Sequence, residues 1–196
     1  MNEIFPSLQG EGDYSGHPVT FVRLSGCTRE CSFCDTKYHE HGDNIPVEEI
    51  ISKLQAIGLE KIVWTGGEPT LQIGGIINIM HQLKGFQHHL ETNGDINIGE
   101  HFNRFNYVSI SPKSLEIAKK VMIYPINTQK DIKVVTDLKM NRRLIPYATS
   151  LMPLTTESEK KNIKIEQDVW DYCVKNNLKF NLREHVHVWG TTKRGI

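Results

Sequence analysis

Residues 19–36 read VTFVRLSGCTRECSFCDT. Val19 to Leu24 is an apolar, β-branched run of the kind that forms a buried strand, and it leads directly into Cys27, Cys31 and Cys34. Spacings of three and two residues let these thiols wrap one compact metal centre, and soft thiolates suit iron-sulfur clusters or zinc. The spacing alone leaves both metals open. A 4Fe-4S cube normally takes four cysteine ligands, so three would leave one iron able to bind something else. The competing assignment is a structural zinc knuckle completed by His39 or His41.

Outward from this stretch, the chain alternates apolar runs with helical patterns. PVEEIISKLQAIG (46–58) starts at Pro46, carries Ile50, Ile51, Leu54 and Ile57 at helical spacing, and stops at Gly58. Lys61 to Trp64 is a short run ending in TGGEP, and residues 76–83 read as a helix broken by Gly85. Residues 88–90 end in ETNG, residues 107–110 end in SPK, and residues 131–135 form a further run. Residues 167–176 read as a helix and 178–188 as an extended segment. Such alternation predicts an α/β architecture with a parallel sheet. A complete eight-unit barrel takes about 250 residues, so 196 residues predict one domain, 1–196, folded as a partial, open barrel of about five or six units. In a parallel barrel CTRECSFCDT, TGGEP, ETNG and SPK all fall at the carboxyl ends of strands and converge on one mouth.

Composition narrows the partners. Lysine plus arginine (23) equals aspartate plus glutamate (23), which gives no global positive field for nucleic acid and favours a small-molecule partner. No run reaches the ~18–20 apolar residues of a membrane span, and MNEIFPSLQG lacks the basic start and apolar centre of a signal peptide, so a cytoplasmic location is expected. A reducing compartment favours metal or redox chemistry over disulfides for the clustered cysteines. Cys173 shares a helical face with Val169 and Trp170 and reads as a buried, inert thiol; with no second cysteine cluster, one metal centre is expected.

CxxxCxxC immediately after a first barrel strand resembles the signature of the radical S-adenosylmethionine superfamily. The resemblance implies a 4Fe-4S cluster whose open iron chelates the amino and carboxylate groups of S-adenosylmethionine. An electron from the reduced cluster then releases a 5'-deoxyadenosyl radical, and the protein positions the cofactor and excludes side reactions. Gly66-Gly67-Glu68 occur where that superfamily contacts the cofactor's amino group. Alone, GGE would be an ordinary turn; a glycine pair also permits close backbone approach.

Within the superfamily the chain resembles the 7-carboxy-7-deazaguanine synthase family over nearly its whole length. The resemblance rests on NEIFPSLQGEGDYSGHPVTFVRLSGC, then CDT, TGGEP, ETNG and SPK, a late histidine, and the closing RGI. It implies conversion of 6-carboxy-5,6,7,8-tetrahydropterin to 7-carboxy-7-deazaguanine with loss of ammonia. A hydrogen is taken from C6, the ring contracts, and the hydrogen is returned. Leu8, Gln9, Gly10 and Glu11 are expected to line the pterin site with Arg23, Thr65 and His185, and the carboxylate of Ile196 is expected to reach it. Arg23 has a rigid fork of donors suited to a carboxylate, although the residue alone reads as an ion-paired or solvated group. Phe33, Cys34, Asp35, Gly67, Glu68, Asn93, Ser111, Pro112 and Lys113 are expected on S-adenosylmethionine. Thr36 is expected on a magnesium ion beside the substrate carboxylate, since magnesium takes few protein ligands. Arg183 stands where many relatives have glutamine, and His187 is placed on the opposite face of the expected strand. A homodimer and an electron donor such as flavodoxin or ferredoxin are also implied. The rival enzyme is a glycyl-radical activating enzyme, which explains the cysteines but neither LQGEG nor Arg23; the non-enzymatic rival is a zinc-binding interaction module.

Overall fold

Strand β1 (Glu3–Leu8) runs antiparallel to β2 (Pro18–Leu24), and from there every neighbour is parallel. The computed structural model describes residues 1–31, 34 and 41–190. β3 (Lys61–Gly66), β4 (Gln87–Thr92), β5 (Tyr107–Ile110), β6 (Gln129–Thr136), β7 (Ser150–Pro153) and β8 (Lys179–Phe180) follow in sequence order across an 8-stranded sheet. Helices α1 (Val47–Ile57), α2 (Ile73–Gln82), α3 (Leu115–Val121) and α4 (Glu159–Asn176) make crossovers, while 3-10 turns at Gly99–Arg104 and Arg142–Tyr147 replace helices after β4 and β6. The expected open parallel barrel is the fold, with β1 added as an antiparallel edge.

The strands alternate sides. Val22, Leu24, Ile62, Trp64, Leu90, Val108, Ile110 and Ile132 pack against Ile50 and Leu54 of α1, Ile76 and Ile79 of α2, and Ile117 and Val121 of α3. Val134 and Leu151 pack with Ile165, Val169 and Cys173 of α4. Cys173 is 2% exposed, and burial raises its thiol pKa, as expected of an inert core cysteine. The intervening residues face the concave side: Phe5, Val19, Phe21 and Val63 form a small apolar cluster there.

Local chemistry explains the boundaries. Gly58 ends α1 at φ 72, and its N–H donates to the Leu54 carbonyl. Ser114 and Ser158 cap α3 and α4 through their hydroxyls, and Asn177 ends α4 in the left-handed region. α4 begins eight residues before the predicted start at 167. Of Ile163 and Ile165 only the second is buried, so its first half carries no apolar stripe to read.

Two further expectations change. The opening before residue 18 contains strand β1, and the extended segment expected over 178–188 is only the two-residue β8 followed by helix α5 (Glu184–Trp189). Asn181 N–H makes the last bond to β7, at the Leu151 carbonyl, 2.9 Å away; β7 ends at Pro153, whose nitrogen has no proton for a ladder. The alternation of EHVHVW therefore belongs to a helix. His187 lies 3.2 Å from Glu166 of α4 and is not placed by strand alternation.

His88 and His89 are both buried in β4, 4% and 1% exposed, and burial pushes each imidazole down to about 4. His88 accepts a 3.1 Å bond from the Trp64 indole, and His89 packs against Tyr14 and Tyr107. The unfolded histidines bind protons from about pH 6.5 downwards, and the folded ones do so only near 4. Their contribution to stability is complete above pH 6.5 and is lost as pH falls towards 4, at roughly 1.4 kcal/mol per pH unit for each residue. Urea denaturation at intervals between pH 7 and 4.5 is expected to show this fall, and His89→Phe to halve its slope; a flat profile in the parent protein would refute it.

Candidate active site

The polypeptide after β2 carries Cys27, Cys31 and Cys34, all partly exposed and none in a disulfide, with Cys34 N–H bonded to the Cys31 carbonyl at 3.1 Å. The loop after β3 crosses under it. Gly67 N–H donates to the Leu24 carbonyl at 3.0 Å and Glu68 N–H to the Gly26 carbonyl at 2.8 Å. A Cβ on Gly67 would overlap the Gly26 carbonyl, and one on Gly66, at φ 127, would overlap the Leu24 backbone, so a side chain at either position displaces the end of β2 or the cysteine loop that follows it.

Glu68 is 0% exposed, and both oxygens of its carboxylate accept hydrogen bonds from the protein. It accepts from Thr70 N–H at 3.1 Å and Thr70 hydroxyl at 2.5 Å, from Thr92 hydroxyl at 2.7 Å, and from Asn93 N–H at 2.8 Å. It therefore acts as a clamp between the loops after β3 and β4. The ring closes back on the cysteines. Asn93 donates to the Thr28 hydroxyl at 2.9 Å, Thr28 donates to Asp95 at 2.7 Å, and Arg29 grips Asp95 with bonds of 2.6 to 2.9 Å. Beside this ring, Ser111 N–H bonds the Thr92 carbonyl at 2.8 Å, Lys113 donates to the Ser111 hydroxyl at 2.7 Å, and Pro112 is buried. The four polar motifs thus meet at one end of the sheet.

Among the described residues, no three Cys, His, Asp or Glu side chains are gathered closely enough to hold a metal ion. The three thiols share one braced loop without being drawn into ligating positions, as is usual where the metal itself completes the site. As a donor set, three thiolates on one loop fit an iron-sulfur cluster. No histidine joins them among the described residues, and His39 lies outside those residues, as do Phe33, Asp35, Thr36 and Ile196.

The concave face holds a second layer. Thr65 donates to Glu91 at 2.9 Å, and the Gln9 amide donates to the other oxygen of Glu91 at 3.0 Å while accepting from Glu11 N–H at 3.2 Å. Glu11 is ion-paired with Lys133, 8% exposed at its side chain. Burial pushes the Glu11 carboxyl up, but Lys133, Arg183 and His185 outweigh it and hold the group well below the usual carboxylate range. Burial likewise pulls Lys133 down, and Glu11, Glu91 and Asp131 outweigh it and raise it. His185 packs on Gly10, where a Cβ would meet its Nδ1 at 2.6 Å. Arg23 aligns with Thr65 across β2 and β3, donates through Nε to Glu3 at 2.7 Å, and lies over the Phe5 ring, so it is ion-paired as well as facing this layer. Leu8, the last residue of β1, is 56% exposed.

Glu91, Asp131 and Lys133 were not anticipated. A signal existed: DIKVV puts two charges two residues apart, on one face of an otherwise apolar strand, and buried charges demand partners. Asp131 finds them in the Thr149 and Ser150 hydroxyls at 2.5 and 2.6 Å.

This arrangement, a braced cysteine loop at the carboxyl end of an open parallel barrel, has known counterparts. The family model described as the radical SAM superfamily matches residues 21–160, and the chain belongs to that superfamily. Its curated relatives narrow the likeness to one activity. A 7-carboxy-7-deazaguanine synthase of Bacteroides thetaiotaomicron is 42% identical over 114 residues, 58% of this chain and 60% of that protein. One of Pyrobaculum aerophilum is 29% identical over 211 residues, covering 97% of this chain and 95% of the relative. The crystal structure of QueE from Escherichia coli superposes with a TM-score of 0.61 at 17% identity, over 94% of this chain and 93% of that one. Native anSMEcpe with bound AdoMet and a Cp18Cys peptide gives 0.55 at 15% identity, over 88% and 66%. Both structures support the fold.

Gly67→Ala removes no ligand yet pushes on Gly26 and Cys27. The expected result is a several-fold lower iron content after anaerobic reconstitution, with Cys173→Ser unchanged; equal iron in Gly67→Ala and parent would contradict the close crossing.

Proposed function

We infer that the chain converts 6-carboxy-5,6,7,8-tetrahydropterin to 7-carboxy-7-deazaguanine with loss of ammonia. The conversion is redox-neutral overall, because substrate minus ammonia has the composition of the product; a hydrogen removed must be returned. When bound by Cys27, Cys31 and Cys34, a 4Fe-4S cluster supplies the electron that cleaves S-adenosylmethionine to start this exchange. The protein's own contribution is to bind, orient and exclude water.

The observation that carries the reading is one polar layer in which Glu91 holds the Gln9 and Thr65 side chains, while Glu11, with His185 packed on the adjoining Gly10, is kept ionised by Lys133. A carboxylate in that state accepts hydrogen bonds only, which suits the N–H-rich edge of an aminopyrimidinone. Glu91 accepts hydrogen bonds from the Thr65 hydroxyl and the Gln9 amide, so Thr65 offers acceptor lone pairs and the Gln9 amide is fixed in orientation. Arg23 is assigned to the substrate carboxylate, together with a magnesium ion on Thr36, and Ile196 is assigned to the pterin site. Gly67, Glu68, Asn93, Ser111, Pro112 and Lys113 are assigned to S-adenosylmethionine with Phe33, Cys34 and Asp35, and Glu68 also holds their loops in place. A homodimer and a cytoplasmic location complete the proposal.

Arg23→Lys and Thr36→Val test the substrate side. Misplacing a reacting hydrogen by about 1 Å costs on the order of a hundredfold in rate. Both variants are expected to keep parental iron content and 5'-deoxyadenosine formation while losing most deazaguanine product, and added magnesium should stimulate the parent but not Thr36→Val. Parental product rates in both variants would refute the assignment.

A further inference from the structure

Glu3 opens strand β1, the same strand whose far end leads into Gln9 and Glu11. The register of β1 and β2 sets Glu3 directly across from Arg23 and Phe5 directly across from Phe21. Residues two apart on a strand share a face, so these four side chains form a two-by-two grid on the concave side. Within the grid Arg23 Nε donates to Glu3 at 2.7 Å, and Arg23 Cζ lies over the Phe5 ring, 5.6 Å from its centroid. Phe5 is fixed in turn, buried and stacked on Phe21 with centroids 5.3 Å apart. On the other side of β2, Arg23 aligns with Thr65, which Glu91 holds.

Stability does not explain this pairing. Both side chains are partly exposed, and a cross-strand ion pair in that setting adds little. Strand β1 is held without it, because its register with β2 continues from Ile4 and Val22 to Leu8 and Pro18. What the pair controls is direction. A guanidinium is planar and rigid, so where its donors point follows from how the whole group is turned. The bond at Nε sets its direction within the plane, and the Phe5 face limits its tilt. Two parallel N–H bonds to one carboxylate form only when that aim is right.

We propose that Glu3 is a positioning residue that, by holding Nε of Arg23, aims the guanidinium at the carboxylate on C6 of the pterin. Glu3 touches neither substrate nor cofactor and acts through Arg23. The proposal rests on the assignment of Arg23 to the substrate carboxylate and adds the residue that makes Arg23 selective for it. A functional side chain needs such a support to stay within the productive geometry.

The test separates geometry from charge. Glu3→Gln keeps an oxygen within reach of Nε and loses the charge, whereas Glu3→Asp keeps the charge and withdraws the oxygen by one methylene, drawing the guanidinium towards β1. In reconstituted enzyme with S-adenosylmethionine and dithionite, Glu3→Asp is expected to raise KM for 6-carboxy-5,6,7,8-tetrahydropterin roughly tenfold, with less deazaguanine formed per 5'-deoxyadenosine. Iron content and thermal midpoint should stay parental, and Glu3→Gln should behave as the parent does. Inhibition by 5,6,7,8-tetrahydropterin, the same ring without the carboxylate, supplies a reading that a purely structural role would not give. Its inhibition constant should be unchanged in Glu3→Asp, so the preference for the carboxylated ring shrinks by the same factor. In an Arg23→Lys background Glu3→Asp should add no further loss, as expected of a residue that acts through Arg23. A parental KM in Glu3→Asp would overturn the proposal. Equal weakening of both pterins would overturn it in favour of a strand staple, and equal damage in Glu3→Asp and Glu3→Gln in favour of a charge effect. A parent enzyme that neither turns over the carboxypterin nor prefers it to tetrahydropterin would remove the Arg23 assignment itself, and the proposal with it.

Discussion

The Glu68 carboxylate is the constraint on which the site's order depends. A buried, ionisable group without partners is costly, and this one is satisfied only when the loops after β3 and β4 meet around it. Once they meet, Asn93 and Asp95 are in place to hold Thr28 and Arg29, and Gly66 and Gly67 lie under Gly26. The cysteine loop is thereby fastened on two sides by residues of the neighbouring loops. Removing one partner from such a network strands the others, so its members act together and do not contribute separately.

Electrostatics divide the barrel's concave face into functions. Near the cysteines, Arg29 and Asp95 satisfy each other. Deeper, Glu11 and Lys133 form a buried pair whose separation would cost about 3–5 kcal/mol, and Arg183 and His185 add positive charge around the same carboxylate. The result is a polar layer with fixed donors and acceptors between an apolar floor of Phe5, Val19, Phe21 and Val63 and the motif loops. Such preorganisation suits chemistry in which a reactive radical must meet one hydrogen and no water.

Much of this was legible because strand ends and motifs coincide in the sequence. CTRECSFC, TGGEP, ETNG and SPK each follow an apolar run, and parallel topology brings them together whatever the exact strand limits. What escaped depended on contacts distant in sequence. β1 exists because it pairs with β2 across the LQGEG turn, and EHVHVW is helical because its would-be partner ends at Pro153. The bracing role of Glu68 is invisible until its partners Thr92 and Asn93, more than twenty residues away, are seen. Lys133 and Glu11, separated by 122 positions, could be paired by no local pattern.

The account's central claim is that this site performs a redox-neutral hydrogen exchange on a carboxypterin. It is tested most directly by anaerobic turnover of the reconstituted enzyme with 6-carboxy-5,6,7,8-tetrahydropterin deuterated at C6, S-adenosylmethionine and reductant, followed by mass analysis. The account predicts 7-carboxy-7-deazaguanine and ammonia in equal amounts, with many products per S-adenosylmethionine consumed and deuterium carried through the cofactor. Stoichiometric cleavage of S-adenosylmethionine with no deazaguanine, accompanied by a glycyl radical on an added partner protein, would contradict it.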